Sequence, residues 1–112
     1  MVEIKLIDFE YAAFGPEEYD LANIFNELIL DNNYAYYPYI RAYFENCASI
    51  DEVKWMIREY LALKYKSDET LIENNFDLHM KNFFKCVLLN NLYWSFWAVL
   101  QIKDKDINGE CF

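Results

Sequence analysis

From Val2 to Ile7 the apolar residues Val2, Ile4 and Leu6 alternate with Glu3 and Lys5, the period-two pattern of a strand. That strand is expected to run over Val2–Phe9 and to end at Asp8-Phe9-Glu10. Gly15 and Pro16 mark a loop over 11–16. Pro16 stands near a helix start, and Glu17 and Glu18 suit the positive end of the helix dipole. Leu21, Ile24, Phe25, Leu28 and Ile29 then recur at helical spacing, which predicts a helix over roughly 17–31. Asn32-Asn33 stops it. Pro38 is expected to open a short helical stretch, Tyr39–Glu45.

Ser49-Ile50-Asp51-Glu52 has the spacing of a capping box, in which Ser49 caps a helix and Glu52 reaches back to it. A helix of about four turns should follow, with Val53, Met56, Ile57, Tyr60 and Leu61 inward and a break at Lys66-Ser67-Asp68. From Thr70 to Lys103 the pattern stays helical with neither Gly nor Pro. Phe76, Met80, Phe83, Phe84, Val87 and Leu88 lie along one stripe. Leu92, Trp94, Phe96, Trp97, Val99 and Leu100 are apolar almost all round. A helix apolar on every side is usually buried in something larger, which predicts that this chain is part of a bigger structure.

Composition narrows the classes. The 112 residues are 55% hydrophobic and 20% aromatic, ample apolar surface for one small core and too much for a disordered chain. Only two Gly and two Pro occur, which favours long helices. A net charge of −9 argues against nucleic acid, since phosphate binding draws on clustered Lys and Arg. A cationic ligand suits such a field, although a solvated acidic surface accounts for it equally. Cys47, Cys86 and Cys111 are odd in number and lack CxxC spacing, as expected in a reducing, cytoplasmic setting. The N-terminal apolar run is interrupted by Glu3, Asp8 and Glu10 and does not read as a signal peptide. Val87–Ile102 is shorter than a membrane span and contains Asn90, Asn91, Ser95 and Gln101, so no membrane span is expected.

Chemistry concentrates in Leu6-Ile7-Asp8-Phe9-Glu10-Tyr11, followed by Asp20-Leu21-Ala22-Asn23 and Phe25-Asn26-Glu27. A carboxylate fixed at a strand end can hold Mg²⁺ against phosphate oxygens. Taken alone, an Asp at a strand end more often caps a turn. The longer string resembles the choline/ethanolamine kinase family, whose signature reads IDFEY, a nine- or ten-residue loop, then D-[LI]-[AG]-N-x-F-x-E. A second block, Trp94-Ser95-Phe96-Trp97-Ala98-Val99-Leu100-Gln101, is similar to that family's WxxWxxxQ helix. The two blocks bracket almost the whole chain, while residues 32–85 match only in helical and aromatic character.

The resemblance implies a partial C-terminal large lobe of a protein-kinase-like fold: mainly α with one short N-terminal β-strand, a single partial domain over 1–112. It implies transfer of the ATP γ-phosphate to choline or ethanolamine in phospholipid synthesis. Asp8 would be catalytic as the Mg²⁺ ligand, with Glu10 supporting the metal. Asp20 and Asn23 would support the site structurally. Glu27 would face the cationic head group, and Tyr11, Trp94 and Trp97 would wall the alcohol pocket, backed by Gln101. Choline's quaternary ammonium cannot donate a classical hydrogen bond and is held by ring faces with a carboxylate nearby. Trp94 and Trp97, three apart on a helix, share a face as such a cage requires. Plainer readings stand beside these: the tryptophans as core, Glu27 as a solvated helix residue, Tyr11 as loop packing, and His79 and Cys86 as structural.

This sequence departs from the family in the loop Phe14–Glu18 and at Asn32, where choline kinases often carry an aromatic residue. No Gly-rich loop and no HxDxxxxN catalytic loop occurs in it. The family's ATP lobe and catalytic base are therefore expected to lie before Met1, ATP would bind only with that portion, and the chain alone is expected to be inactive. Members of that family are often dimers, which leaves a homodimer open for this chain. Two rivals remain: an aminoglycoside or small-alcohol phosphotransferase of the same superfamily, which generally lacks the WxxWxxxQ helix, and a non-catalytic module whose aromatic cage holds a quaternary ammonium.

Overall fold

A computed structural model describes residues 2–108, with side chains through residue 102. Its elements in chain order are α1 (Glu18–Glu27), β1 (Leu30–Asp31), β2 (Arg41–Ala42), a 3₁₀ turn (Phe44–Asn46), α2 (Ile50–Lys64) and α3 (Glu69–Asn108). The mainly helical character read from the sequence is thus present. At 40 residues, α3 has a length of about 60 Å at 1.5 Å per residue, and it sets the 58 Å long axis of the molecule.

The capping box forms at the start of α2. Ser49 N–H donates to Glu52 Oε2 at 2.7 Å, and Glu52 N–H donates to Ser49 Oγ at 3.2 Å. Val53, Ile57 and Leu61, four residues apart, are buried, with Met56 and Tyr60 partly so. The helix ends through Lys66 and Ser67, both at positive φ. Ser67 N–H bonds back to the Ala62 carbonyl at 2.8 Å, the Schellman pattern. Asp68 then caps α3 by accepting from Leu71 N–H at 3.2 Å.

Both α1 and α2 lay their buried faces on α3. The core is Ala22 from α1, Val53, Ile57 and Leu61 from α2, and Ile72, Phe83 and Cys86 from α3. Phe83 is fully buried, with the Phe25 ring edge-on at 5.5 Å. Side-chain bonds pair Glu18 with Asn82, Asn26 with Asn90 and Asn23 with Trp94, so α1 runs alongside α3 in the same direction.

Three expectations are corrected. Residues 2–9 form no strand: a strand needs a partner edge for its backbone N–H and C=O groups, and none lies beside this segment among the described residues. Val2 and Ile4 are 90% and 87% exposed there. The first helix stops at Glu27 rather than near 31, because Leu30–Asp31 pairs antiparallel with Arg41–Ala42 and Asp31 Oδ1 accepts from Asn33 N–H at 2.9 Å, turning the chain. The expected helix over Tyr39–Glu45 is replaced by β2 and the 3₁₀ turn. There Arg41 lies over the rings of Tyr34 and Tyr43, 5.3 and 4.8 Å from their centroids. Along α3 the apolar stripe is divided: Phe83 is buried, Phe76, Met80 and Val87 pack partly buried against the core, and Phe84 and Leu88 face out, while His79 and Asn90 are buried.

Candidate functional site

The second half of α3 extends past the core. Phe96, Val99 and Leu100 are each more than half exposed, so the all-round apolar helix is not covered among the described residues. Trp94 and Trp97 lie on this part of α3, beside the C-terminal turn of α1. Their rings meet edge to face at 5.7 Å and 75°. Tyr11 brings a third ring to Trp94 at 6.3 Å and 77°. The Trp94 indole N–H donates to Asn23 Oδ1 at 3.1 Å, which ties α3 to α1 beside the cleft.

Glu27, Trp94 and Trp97 line one cleft of ≈ 470 Å³, together with Asn32, Ile40 and Ala98. Three of the four residues expected to bind substrate are therefore brought together, and Tyr11 abuts one of their walls. The arrangement combines a carboxylate with two perpendicular indoles, which is the chemistry that attracts an organic cation. Of the residues expected to support the site, Asn23 holds Trp94, while Gln101 is half-buried on α3 beyond the cleft lining and Asp20 is exposed on α1. Asp8 and Glu10 sit on an exposed segment, with Asp8 at φ 66° and a turn closed by Ala12 N–H to the Phe9 carbonyl at 3.0 Å. Neither lines the cleft. A shallower hollow over Ala12, Ala13 and Phe14 offers no polar side chain.

Sequence reasoning missed Ile40 and Ala98 in the lining, for which the sequence carries no signal, and saw Asn32 only as a departure. It also missed a cluster under the other end of α1. His79 and Glu18 are buried there, with Nδ1 2.7 Å from Glu18 Oε1 and 3.5 Å from Glu17 Oε1. Despite that approach Nδ1 makes no hydrogen bond. Donor atoms of Glu17, Glu18 and His79 lie within 4.8 Å of one another. Yet both Glu17 oxygens are already taken: Lys64 pairs with Oε1, and Tyr60 O–H donates to Oε2 at 2.6 Å. Lys64 and then Tyr60 hold the Glu17 carboxyl below the ordinary carboxylate range. Burial and then Glu17 push the Tyr60 phenol up to about 12. The cluster reads as an ionic joint between α1, α2 and α3.

The family model for choline/ethanolamine kinase matches residues 1–111. This chain belongs to the choline/ethanolamine kinase family. It is 27% identical to choline kinase alpha of Mus musculus over 94% of this chain and 24% of that protein. Against a probable ethanolamine kinase of Arabidopsis thaliana the identity is 28% over 96% of this chain and 26% of the relative. A choline kinase of Saccharomyces cerevisiae is 28% identical over 88% of this chain and 17% of the relative. The chain thus spans about a quarter of the length of the first two relatives. No solved structure matches it. Among the described residues no helix is long and apolar enough to cross a membrane.

Proposed function

We propose that this chain carries the alcohol pocket and the metal carboxylates of a choline/ethanolamine kinase, the enzyme that transfers the ATP γ-phosphate to the hydroxyl of choline or ethanolamine. The observation that carries this reading is the cleft joining Glu27 to Trp94 and Trp97 in a chain of that family. The indole faces attract the ammonium, Tyr11 steadies the Trp94 wall, and the Glu27 carboxylate supplies the counter-charge. A primary ammonium asks for acceptors and a quaternary one for rings; Glu27 serves both, so either alcohol is a ligand.

Asp8 and Glu10 are the proposed metal carboxylates. Their donors are hard oxygens on an exposed segment open to water, which fits Mg²⁺, an ion that keeps several of its waters. When bound, such an ion would neutralise phosphate charge during transfer. The sequence contains neither an HxDxxxxN loop nor a Gly-rich phosphate loop. Phosphotransfer therefore needs a base and a nucleotide clamp from outside these 112 residues, and the chain by itself is proposed to bind alcohol in a cytoplasmic setting without turning over ATP.

The test is a calorimetric titration of the folded chain with choline and with ethanolamine. Binding of at least one, abolished in Glu27→Ala and unaffected in Asp8→Ala, is expected. A helical chain that binds neither alcohol overturns the pocket. Turnover of ATP by the chain alone overturns the division of labour.

A further inference from the structure

The fully buried Asn90 is hard to explain as packing. It lies in the middle of an amide relay between α1 and α3. Asn26 Nδ2 donates to Asn90 Oδ1 at 2.8 Å and approaches the Val87 carbonyl at 3.4 Å. Asn90 Nδ2 donates to Asn23 Oδ1 at 2.9 Å, the same oxygen that accepts the Trp94 indole N–H.

Amide orientations are ordinarily ambiguous, but both ends of this relay are chemically fixed. A backbone carbonyl can only accept and an indole N–H can only donate. The Val87 carbonyl therefore obliges Asn26 to present its NH₂. Asn90 must answer with its oxygen, which turns its own NH₂ towards Asn23. Asn23 must in turn present its oxygen, and that oxygen is what the indole needs. Reversing any one amide sets two donors or two acceptors face to face at buried or half-buried positions, where an unmet polar group is costly.

We infer that Asn90 is a positioning residue for the ammonium pocket: through Asn23 it holds the Trp94 N–H on the α1 side and leaves apolar ring surface to the cleft. The N–H is the positive edge of the indole and repels a cation, whereas the ring face attracts one. Without Asn90, Asn23 can rotate its NH₂ towards the indole, the tether is lost, and Trp94 becomes free to turn its positive edge into the cleft. The amide geometry stands by itself; its consequence for ligand rests on the alcohol-binding reading above.

The experiment uses the 112-residue chain with ¹⁵N-labelled tryptophan. Three indole N–H signals are expected, with Trp55, which is 65% exposed, as the internal reference. In the native chain the Trp94 indole should exchange with solvent more slowly than that of Trp55. An equal rate overturns the tether without any variant. In Asn90→Leu the Trp94 signal should shift and its exchange quicken at unchanged helical circular dichroism, while affinity for choline and ethanolamine falls about tenfold, the scale of one cation–π contact. Asn23→Asp, which keeps an acceptor for both donors, should retain the protected indole. A Trp94 signal unmoved in folded Asn90→Leu refutes the relay. A moved signal with unchanged affinity refutes its role in the pocket. A native chain with a protected indole that binds neither alcohol instead overturns the alcohol-binding reading and leaves the tether standing.

Discussion

Replacing Phe83 by alanine tests the contact on which the site depends. Phe83 is fully buried where α1 meets α3, with Phe25 edge-on at 5.5 Å and Phe84 at 5.3 Å. Its removal loses the transfer free energy of a benzyl group and leaves a cavity between elements joined by few other buried residues, for a loss of about 3–5 kcal/mol. Unfolding entropy near 2.1 cal/mol/K per residue over 112 residues converts this to a fall in Tm of roughly 13–21 °C. Thermal and urea unfolding followed by circular dichroism supply the measurement. Leu88→Ala is the control, because Leu88 is 71% exposed though it belongs to the same apolar stripe in sequence. A surface change of that kind should stay within about 0.5 kcal/mol. Equal losses for the two variants, or a loss below about 1 kcal/mol at Phe83, would refute the packing of α1 on α3 described above. Because that packing brings Glu27 to the tryptophans, alcohol binding should fail in Phe83→Ala at any temperature where the chain is unfolded.

Three further outcomes are expected. Trp97→Ala removes one wall of the cleft and should weaken choline binding by about 5–30-fold, on a cation–π contact of roughly 1–2 kcal/mol, whereas the exposed Trp55→Ala should leave the calorimetric isotherm unchanged. Ser49→Ala deletes half of the capping box and should lower stability by about 1 kcal/mol in urea, with the loss smaller for Ser49→Gly. The Glu17 joint makes stability pH-dependent. Its folded carboxyl lies below the ordinary 4.5, so its contribution is complete above that value and is lost as pH falls through the folded value. The stability difference between native chain and Lys64→Met should therefore shrink on acidification below about pH 4.5, and a difference constant down to about pH 2 would show that Lys64 does not act through Glu17.

Local signals in the sequence determined whatever depended on neighbouring residues alone. The capping box at Ser49 and Glu52, the burial of Val53, Ile57 and Leu61, and the uninterrupted α3 all follow from spacing and from the absence of Gly and Pro, because a helix satisfies its own backbone. The resemblance carried by the two motif blocks pointed to Glu27, Trp94 and Trp97. A strand at 2–9 failed for the opposite reason: alternation records a preference, but a strand needs a partner that no pattern within those residues supplies. Pairing of Leu30–Asp31 with Arg41–Ala42 cut the first helix short, a non-local choice invisible in its apolar period. Only the tertiary structure decided that Phe84 and Leu88 face out while Asn90 and His79 face in. A buried amide is tolerable only where another element brings partners, and here α1 brings Asn23 and Asn26 to Asn90 on one side of α3, while Glu17 and Glu18 stand close to His79. The sequence singled out Glu27, Trp94 and Trp97, but it took the packing of α1 against α3 to bring their side chains to one cleft, with Ile40 and Ala98 beside them.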